Sequence, residues 1–172
     1  MNVYVAGAYC DKHTVQQVQA ALIKTARCTI THDWTAATNT TALEDALSDE
    51  RGVNRAELVV LVFSVAEHAY RGTFTEMGMA LGLGKMIVAL CLVDGEYRHN
   101  PFLQLPQVHR VQTLDELLSL VNAVPYEERL RLFLKIPVAS ERNYVPIHET
   151  DSDSEGDDDQ TSAGDTCTGG VL

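Results

Sequence analysis

The 172-residue sequence lacks any apolar run of the roughly 18 to 20 residues that a bilayer-spanning helix needs, so no membrane association is expected. No basic residue precedes the short apolar run at its start, which argues against a secretory signal. The four cysteines are far apart and form no CxxC pair, which argues against a zinc cage or a disulfide framework. These absences favour a reducing, cytoplasmic compartment.

Sequence motifs for common cofactors are also missing. The first apolar run ends at Gly7, but neither GxGxxG nor Walker A spacing follows it, so we expect no dinucleotide or triphosphate held by those loops. The histidines show no metal-ligand spacing. We therefore expect neither a cofactor nor a metal.

Basic residues are few and are not clustered. The formal net charge is −11, but eight acidic residues and no basic ones lie from Glu149 onward, so residues 1–148 hold 16 acidic and 13 basic residues, a net charge of −3. A groove for a nucleic-acid polymer would need clustered Lys and Arg, so a small substrate is the better expectation. The acidic, low-complexity tail at 140–172 is predicted to be disordered.

Short apolar runs alternate with helical patterns over residues 1–124, which predicts βαβ units and a parallel sheet. We predict one α/β domain there: a doubly wound, flavodoxin-like, five-stranded parallel sheet with helices on both faces. A C-terminal helical extension is expected at 125–139. Strands are predicted at 2–7, 28–34, 58–63, 86–92 and 109–113, and helices at 14–25, 41–56, 73–85 and 114–124.

Glu76 stands at the start of the third predicted helix, directly beyond a buried strand, and ligands of such sheets bind beyond the carboxyl ends of the strands. Gly78, Gly82 and Gly84 follow in the same helix at a cost of about 1 kcal/mol each, which suggests a close approach of helix to sheet. The alternative for Glu76 is a capping box with Thr73, three residues earlier.

Asp49 is the single charged member of a helical stripe in the second predicted helix. Its neighbours at spacings of four and three residues are Ala42, Ala46, Val53 and Ala56. A carboxylate on an inward face is costly unless it is paired or functional. The alternative is a helix rolled outward, with Asp49 at its edge near an arginine of the same helix.

Two carboxylates in one cleft suit cleavage of a glycosidic bond, in which one attacks the anomeric carbon and the other protonates the leaving group. Different surroundings can keep one carboxyl group ionised and the other protonated near neutral pH. Glu76 and Asp49 are therefore the candidates for this chemistry.

VYVAG in the first strand, Asp49 before the third strand and GTFTEMGMALGLGK together resemble the nucleoside 2-deoxyribosyltransferase family, whose relatives include 2′-deoxynucleoside 5′-monophosphate N-glycosidases. The resemblance covers about residues 2–124. The helix signature of the family is matched at Gly72, Glu76, Gly78, Ala80, Gly84 and Lys85.

The resemblance implies catalytic roles for three residues. Glu76 matches the nucleophile that forms a covalent deoxyribosyl intermediate. Asp49 matches the acid that handles the leaving base and helps to hold the sugar. Tyr4 matches the tyrosine that orients the nucleophile.

Substrate-binding residues are expected on the neighbouring loops. The resemblance places Gly7 and Ala8 at the base pocket, and the turn at Gly72 and Thr73 matches the glycine turn of the family signature. From position alone, His32, Asp33 and Trp34 lie on the second strand-end loop, where an aromatic ring could stack on a base. Ordinary packing is the alternative for Trp34.

The sequence departs from the family pattern at Tyr70, where many of the transferases have an aspartate six residues before the nucleophile. Arg71, which follows, could bind a 5′-phosphate, since guanidinium groups suit phosphate oxygens. The alternative is a solvated surface arginine.

The expected function is a cofactor-free enzyme that cleaves or transfers the N-glycosidic bond of 2′-deoxynucleosides, with a free nucleobase as second partner. One alternative is a 2′-deoxynucleoside 5′-monophosphate N-glycosidase that uses water, or a related enzyme releasing a base from a cytokinin-like monophosphate. Another is a non-catalytic nucleotide-binding sensor, because fold alone does not determine function. A homo-oligomer, dimeric or larger, is expected from the family resemblance.

Overall fold

The computed structural model describes residues 1–38 and 40–122, and its centre is one sheet of five parallel strands in the order β2-β1-β3-β4-β5. This confirms the predicted α/β fold class. The predicted extension at 125–139 and the acidic tail at 140–172 lie outside the described residues. The strands are β1 (Asn2–Ala6), β2 (Thr29–Ile30), β3 (Leu58–Phe63), β4 (Met86–Cys91) and β5 (Val108–Val111); the helices are α1 (Lys12–Ala26), α2 (Ala42–Arg55), α3 (Arg71–Gly82) and α4 (Leu114–Asn122).

Strands β3 and β4, which lie inside the sheet, are buried along their whole length because helices cover both faces of the sheet. Alternate residues point to opposite faces, with Val59 and Leu61 on one face and Val60 and Val62 on the other. The first face packs against residues of α2 and α3, and the second against residues of α1 and α4. The chain leaves β1 toward β2 on one side and returns to β3 on the other. The crevice of this switch therefore opens between the carboxyl ends of β1 and β3.

Helix α3 begins at Arg71, two residues before the predicted start. Tyr70 is its N-cap residue, and Thr73 is a buried residue inside the helix. The capping box of Thr73 with Glu76 is therefore wrong. The carboxylate of Glu76 is free for another role.

Strand β2 is much shorter than predicted, since only Thr29 and Ile30 pair with β1. The following residues turn away into a 3-10 turn over Trp34–Ala36, in which the carboxylate of Asp33 accepts a hydrogen bond from the Thr35 amide at 3.0 Å. A short edge strand leaves this loop free to fold over the carboxyl end of β1.

The predicted inward stripe of α2 is only half correct. Val53 and Ala56 are buried, but Ala42 and Ala46 are exposed, so the first half of the helix projects from the described part of the domain. Asp49 lies at the point where the helix meets the domain, and its side chain is half-buried.

The close approach of α3 to the sheet, inferred from its glycines, is also wrong. A Cβ added at Gly78, Gly82 or Gly84 would meet no atom within 4 Å. The tight contact involves α2 instead, because a Cβ at Gly52 would lie 2.7 Å from Cδ2 of Tyr4 and 2.8 Å from Cβ of His32. Gly52 therefore lets α2 approach β1 closely.

We expect Gly52→Ala to destabilise the fold by about 1–3 kcal/mol, because the added methyl group overpacks against the Tyr4 ring. Gly78→Ala is the matched control, in another helix with free space around it, and should stabilise the fold by about 0.5–1 kcal/mol. Urea denaturation of both variants measures the difference. Equal effects at the two positions would contradict the close approach of α2.

The described residues contain no helix that is both long and apolar enough to span a membrane. The same residues contain no cluster of three or more His, Cys, Asp or Glu side chains placed to hold a metal ion.

Candidate active site

The fully buried Tyr4 connects the two candidate carboxylates. Its hydroxyl lies 2.8 Å from Oδ1 of Asp49 and 2.5 Å from Oε1 of Glu76. Tyr4 comes from β1, Asp49 from α2 and Glu76 from α3, and the sheet topology brings these three elements to one face. The predicted catalytic residues thus form one hydrogen-bonded group.

This group opens into a pocket of about 370 Å³ at the crevice between β1 and β3. That volume lies within the range of about 300–1,000 Å³ that is usual for small-molecule sites. The lining residues are Gly7, Tyr9, Lys12, Trp34, Ala37, Thr40, Asp45, Asp49, Gly72 and Glu76.

Three of the predicted binding residues, Gly7, Trp34 and Gly72, line the pocket. The indole Nε1 of Trp34 donates to the Val5 carbonyl at 2.9 Å, which fixes the ring against the end of β1. Trp34 therefore both packs against the domain and forms a pocket wall.

The other four predicted binding residues are not among those lining the pocket. The Ala8 amide donates to Asp11 at 3.1 Å, and Thr73 is buried in α3. Asp33 is occupied with the turn that follows it, and Arg71 is an exposed residue beside Gly72. The structure thus gives Ala8, Asp33 and Thr73 roles within the fold.

Sequence reasoning missed two residues of the pocket, Tyr9 and Lys12, and placed His32 on the second strand-end loop without giving it a separate role. Tyr9 presents a ring that is 82% exposed, and the Nζ of Lys12 lies 5.8 Å from the centre of that ring. His32 places Nε2 3.6 Å from Oδ1 of Asp49. The available signal for Tyr9 and Lys12 was position, because they come three and six residues after the carboxyl end of β1, where ligands of such sheets bind.

Burial raises the pKa values of Tyr4, Asp49 and Glu76, which favours their protonated forms. Burial, aided by the charge of Asp49 and opposed by the hydrogen bond from Tyr4, raises the pKa of Glu76 to about 8. Burial also raises the pKa of Asp49, while Tyr4 and His32 oppose that shift. Burial and the two neighbouring carboxylates raise the pKa of Tyr4 as well, so its phenol stays protonated.

The hydrogen-bond count requires one extra proton. The Tyr4 phenol has a single proton but lies within hydrogen-bond distance of two carboxyl oxygens. Both contacts are satisfied only when one carboxyl group is protonated and donates to the phenol oxygen. The raised pKa of Glu76 agrees with such a shared proton near neutral pH.

Comparison with known proteins shows that this chain has a fold similar to that of a solved structure, although its sequence matches no family model. No protein-family model and no curated protein matches the sequence. The structure is similar to that of the Clostridium botulinum CMP N-glycosidase BcmB, with a TM-score of 0.51, 15% identical residues, and coverage of 72% of this chain and 100% of that one. The two proteins therefore share an α/β fold.

Proposed function

We propose that the protein cleaves the N-glycosidic bond of a 2′-deoxynucleoside or its 5′-monophosphate, through a covalent deoxyribosyl intermediate on Glu76. The observation that carries this proposal is the Tyr4 hydroxyl, which contacts both carboxyl groups at the wall of one pocket. The two contacted oxygens are therefore at most about 5.3 Å apart. Retaining glycosidases hold their carboxyl groups ~5–5.5 Å apart, and inverting enzymes hold them ~6.5–9.5 Å apart.

In the first step, a carboxylate oxygen of Glu76 attacks C1′ of the sugar, and the bond from C1′ to the base nitrogen breaks. The base leaves with a proton from Asp49. In the second step, Asp49 takes a proton from water, whose oxygen attacks C1′ and releases Glu76. A second free base in place of water would make the reaction a transfer.

Tyr4 can reconcile these roles with the burial of Glu76, which favours its protonated form. If Glu76 donates its proton to the phenol oxygen while the phenol donates its own to Asp49, Glu76 becomes the ionised nucleophile and Asp49 the acid. The geometry supports this exchange because both carboxyl oxygens contact the same hydroxyl. The second contact of Asp49, with His32, adds a polar neighbour on the more exposed side.

A 5′-monophosphate is favoured over an unphosphorylated nucleoside by one ammonium group, which lines the pocket together with the carboxyl groups of Asp45, Asp49 and Glu76. Lys12 is the one basic residue among those lining it, and Lys12 and Gly72 belong to the first turns of α1 and α3. Helix N-termini and ammonium groups both favour phosphate oxygens. The structurally similar BcmB is described as acting on CMP, itself a nucleoside monophosphate.

The nucleobase has two aromatic candidates, Tyr9 and Trp34. Both line the pocket, and the hydrogen bond from Trp34 to Val5 fixes its ring in place. A rigid ring loses little entropy when a base stacks on it. Trp34 is also the only tryptophan of the chain, so its fluorescence reports directly on this pocket.

The proposal is tested by incubating the protein with 2′-deoxynucleosides and with their 5′-monophosphates, each with and without a second free base. Chromatography follows the released base. We expect release from the monophosphates without an acceptor. Release only with an acceptor would assign a transferase instead. If the nucleotide quenches Trp34 fluorescence in a saturable way but no base is released, the protein is a non-catalytic nucleotide sensor and not an enzyme.

Lys12→Met, measured in the same assay, separates the phosphate contact from the chemistry. We expect KM for the monophosphate to rise about tenfold or more, the usual scale of a lost charged hydrogen bond, with the nucleoside unaffected. Lys24→Met removes an exposed lysine from the last turn of the same helix and is the control. An equal change in KM for the nucleoside and for its monophosphate would show that Lys12 does not bind the phosphate.

A further inference from the structure

A second buried polar group lies beside the pocket but does not line it. Asp11 and Tyr70 are both fully buried, and Ser64 is half-buried between them. The three residues follow the carboxyl ends of β1 and β3 and precede α3. They therefore sit at the switch crevice, behind the wall of the pocket.

The carboxylate of Asp11 ties the two loops together. Its Oδ2 accepts from the Ala8 amide at 3.1 Å, and its Oδ1 accepts from the Ser64 amide at 3.2 Å and from the Ser64 hydroxyl. Oδ1 also lies 3.2 Å from the Tyr70 hydroxyl. The loop after β1 is thus bonded to the loop after β3 through one side chain.

The hydroxyl of Tyr70 completes the connection. It accepts from the amides of Ser64 at 3.0 Å and Val65 at 2.9 Å, and its own proton faces the Val65 carbonyl at 3.1 Å or Asp11. One phenol therefore satisfies the backbone groups at the end of β3. Without the phenol, the Val65 amide would lose this acceptor, and the Ser64 amide would keep only its bond to Asp11 at 3.2 Å.

The backbone of Tyr70 is held in a conformation that tyrosine seldom adopts. Its φ of 49° and ψ of 34° lie in the left-handed region, which costs a non-glycine residue roughly 1–3 kcal/mol. Edge-to-face contact with the ring of Phe63, at 4.7 Å between centroids, helps to hold it there. Because Tyr70 is the N-cap residue of α3, its conformation sets the direction of the helix that carries Glu76.

We propose that Asp11, Ser64 and Tyr70 are positioning residues that hold two walls of the active site at a fixed separation. Asp11 lies in the chain between Tyr9 and Lys12, which form one wall, and Tyr70 lies two residues before Gly72, which belongs to the other. Loss of the connection would let the walls drift apart without removing any group that touches substrate. The catalytic part of this inference rests on the proposed function.

Tyr70→Phe tests the proposal, and Tyr97→Phe is its matched control. Tyr97 is also buried and stacks on Phe63, and its hydroxyl donates to the Val93 carbonyl, but it does not line the active-site pocket. Each variant removes one hydroxyl from the same aromatic cluster. We expect Tyr70→Phe to lower kcat about 10- to 100-fold with little change in KM, because small displacements of reacting groups have effects of that size. Tyr97→Phe should stay within about twofold.

Amide hydrogen exchange provides a measurement that does not depend on activity. Tyr70→Phe should speed exchange at residues 8–12 and 70–76, and Tyr97→Phe should not. Unchanged exchange in Tyr70→Phe, or an equal loss of kcat in both variants, would overturn the positioning role. If the wild-type protein releases no base while exchange still changes, the proposed function fails and the connection between the walls stands. Should Tyr70→Phe fail to fold, Ser64→Ala removes only the hydroxyl contact to Asp11 and serves in its place.

Discussion

Glu76→Gln is expected to lower base release by at least about 10³-fold while the protein remains folded, because the amide cannot form the ester with C1′. Glutamine keeps the size of the side chain and can still accept a hydrogen bond from Tyr4. Loss of activity therefore reports on the missing carboxylate. Initial rates of base release measure the effect, and peptide mass spectrometry of quenched wild-type reactions tests for a deoxyribosyl adduct on Glu76.

Glu50→Gln is the control for this substitution. Glu50 is an exposed residue of α2 that accepts a hydrogen bond from the Asn54 side chain at 2.7 Å, so its change should leave the rate intact. Substantial activity in Glu76→Gln would show that Glu76 is not the nucleophile. A wild-type reaction that inverts the configuration at C1′ would argue against the covalent intermediate in the same way.

The wild-type protein should lose stability relative to Glu76→Gln as the pH rises. Burial raises the pKa of Glu76 from 4.5 to about 8, so between these values the folded state retains a proton that the unfolded state has released. Stability therefore falls with pH in this window, by at most ~1.4 kcal/mol per pH unit for one proton. Below pH 4.5 the side chain is protonated in both states and the penalty is absent.

Urea denaturation of both proteins at pH 4, 6 and 8 measures this difference. The variant should gain most at pH 8, because glutamine has no charge to bury. Other titrating groups are common to both proteins and largely cancel; Asp49 is the exception, because its charge contributes to the raised pKa of Glu76. A difference in unfolding free energy that is independent of pH would show that folding does not raise the pKa of Glu76.

Local pattern was sufficient to predict the layers of this fold. The runs at Leu58–Phe63 and Met86–Cys91 are apolar at every position, and only strands covered on both faces are buried in that way. The short edge strand β2 has no such run, and its length depends on pairing with β1 and on the turn that Asp33 caps. Its predicted extent was accordingly too long.

Glu76 and Asp49 were predicted as site residues from different features of the sequence. Glu76 belongs to the helix that follows the buried strand β3, so chain order places it near the end of the sheet where ligands bind. Asp49 was selected from a stripe whose first half proved to be exposed, and its contact with the pocket arises from the close packing of Gly52 against Tyr4. The helical period describes one face of a helix, but it does not show how far along the helix the domain extends.

Composition and periodicity by themselves determined the parallel sheet, its helical layers and the place in the chain of the acidic candidates, because burial acts on each segment separately. The contacts of the pocket were decided only in three dimensions. Asp49 and Glu76 lie 45 and 72 residues after Tyr4, and no local rule relates such distant positions. Their meeting at one phenol, and the shared proton that follows from it, depend on how helices from two crossovers pack on the same face of the sheet.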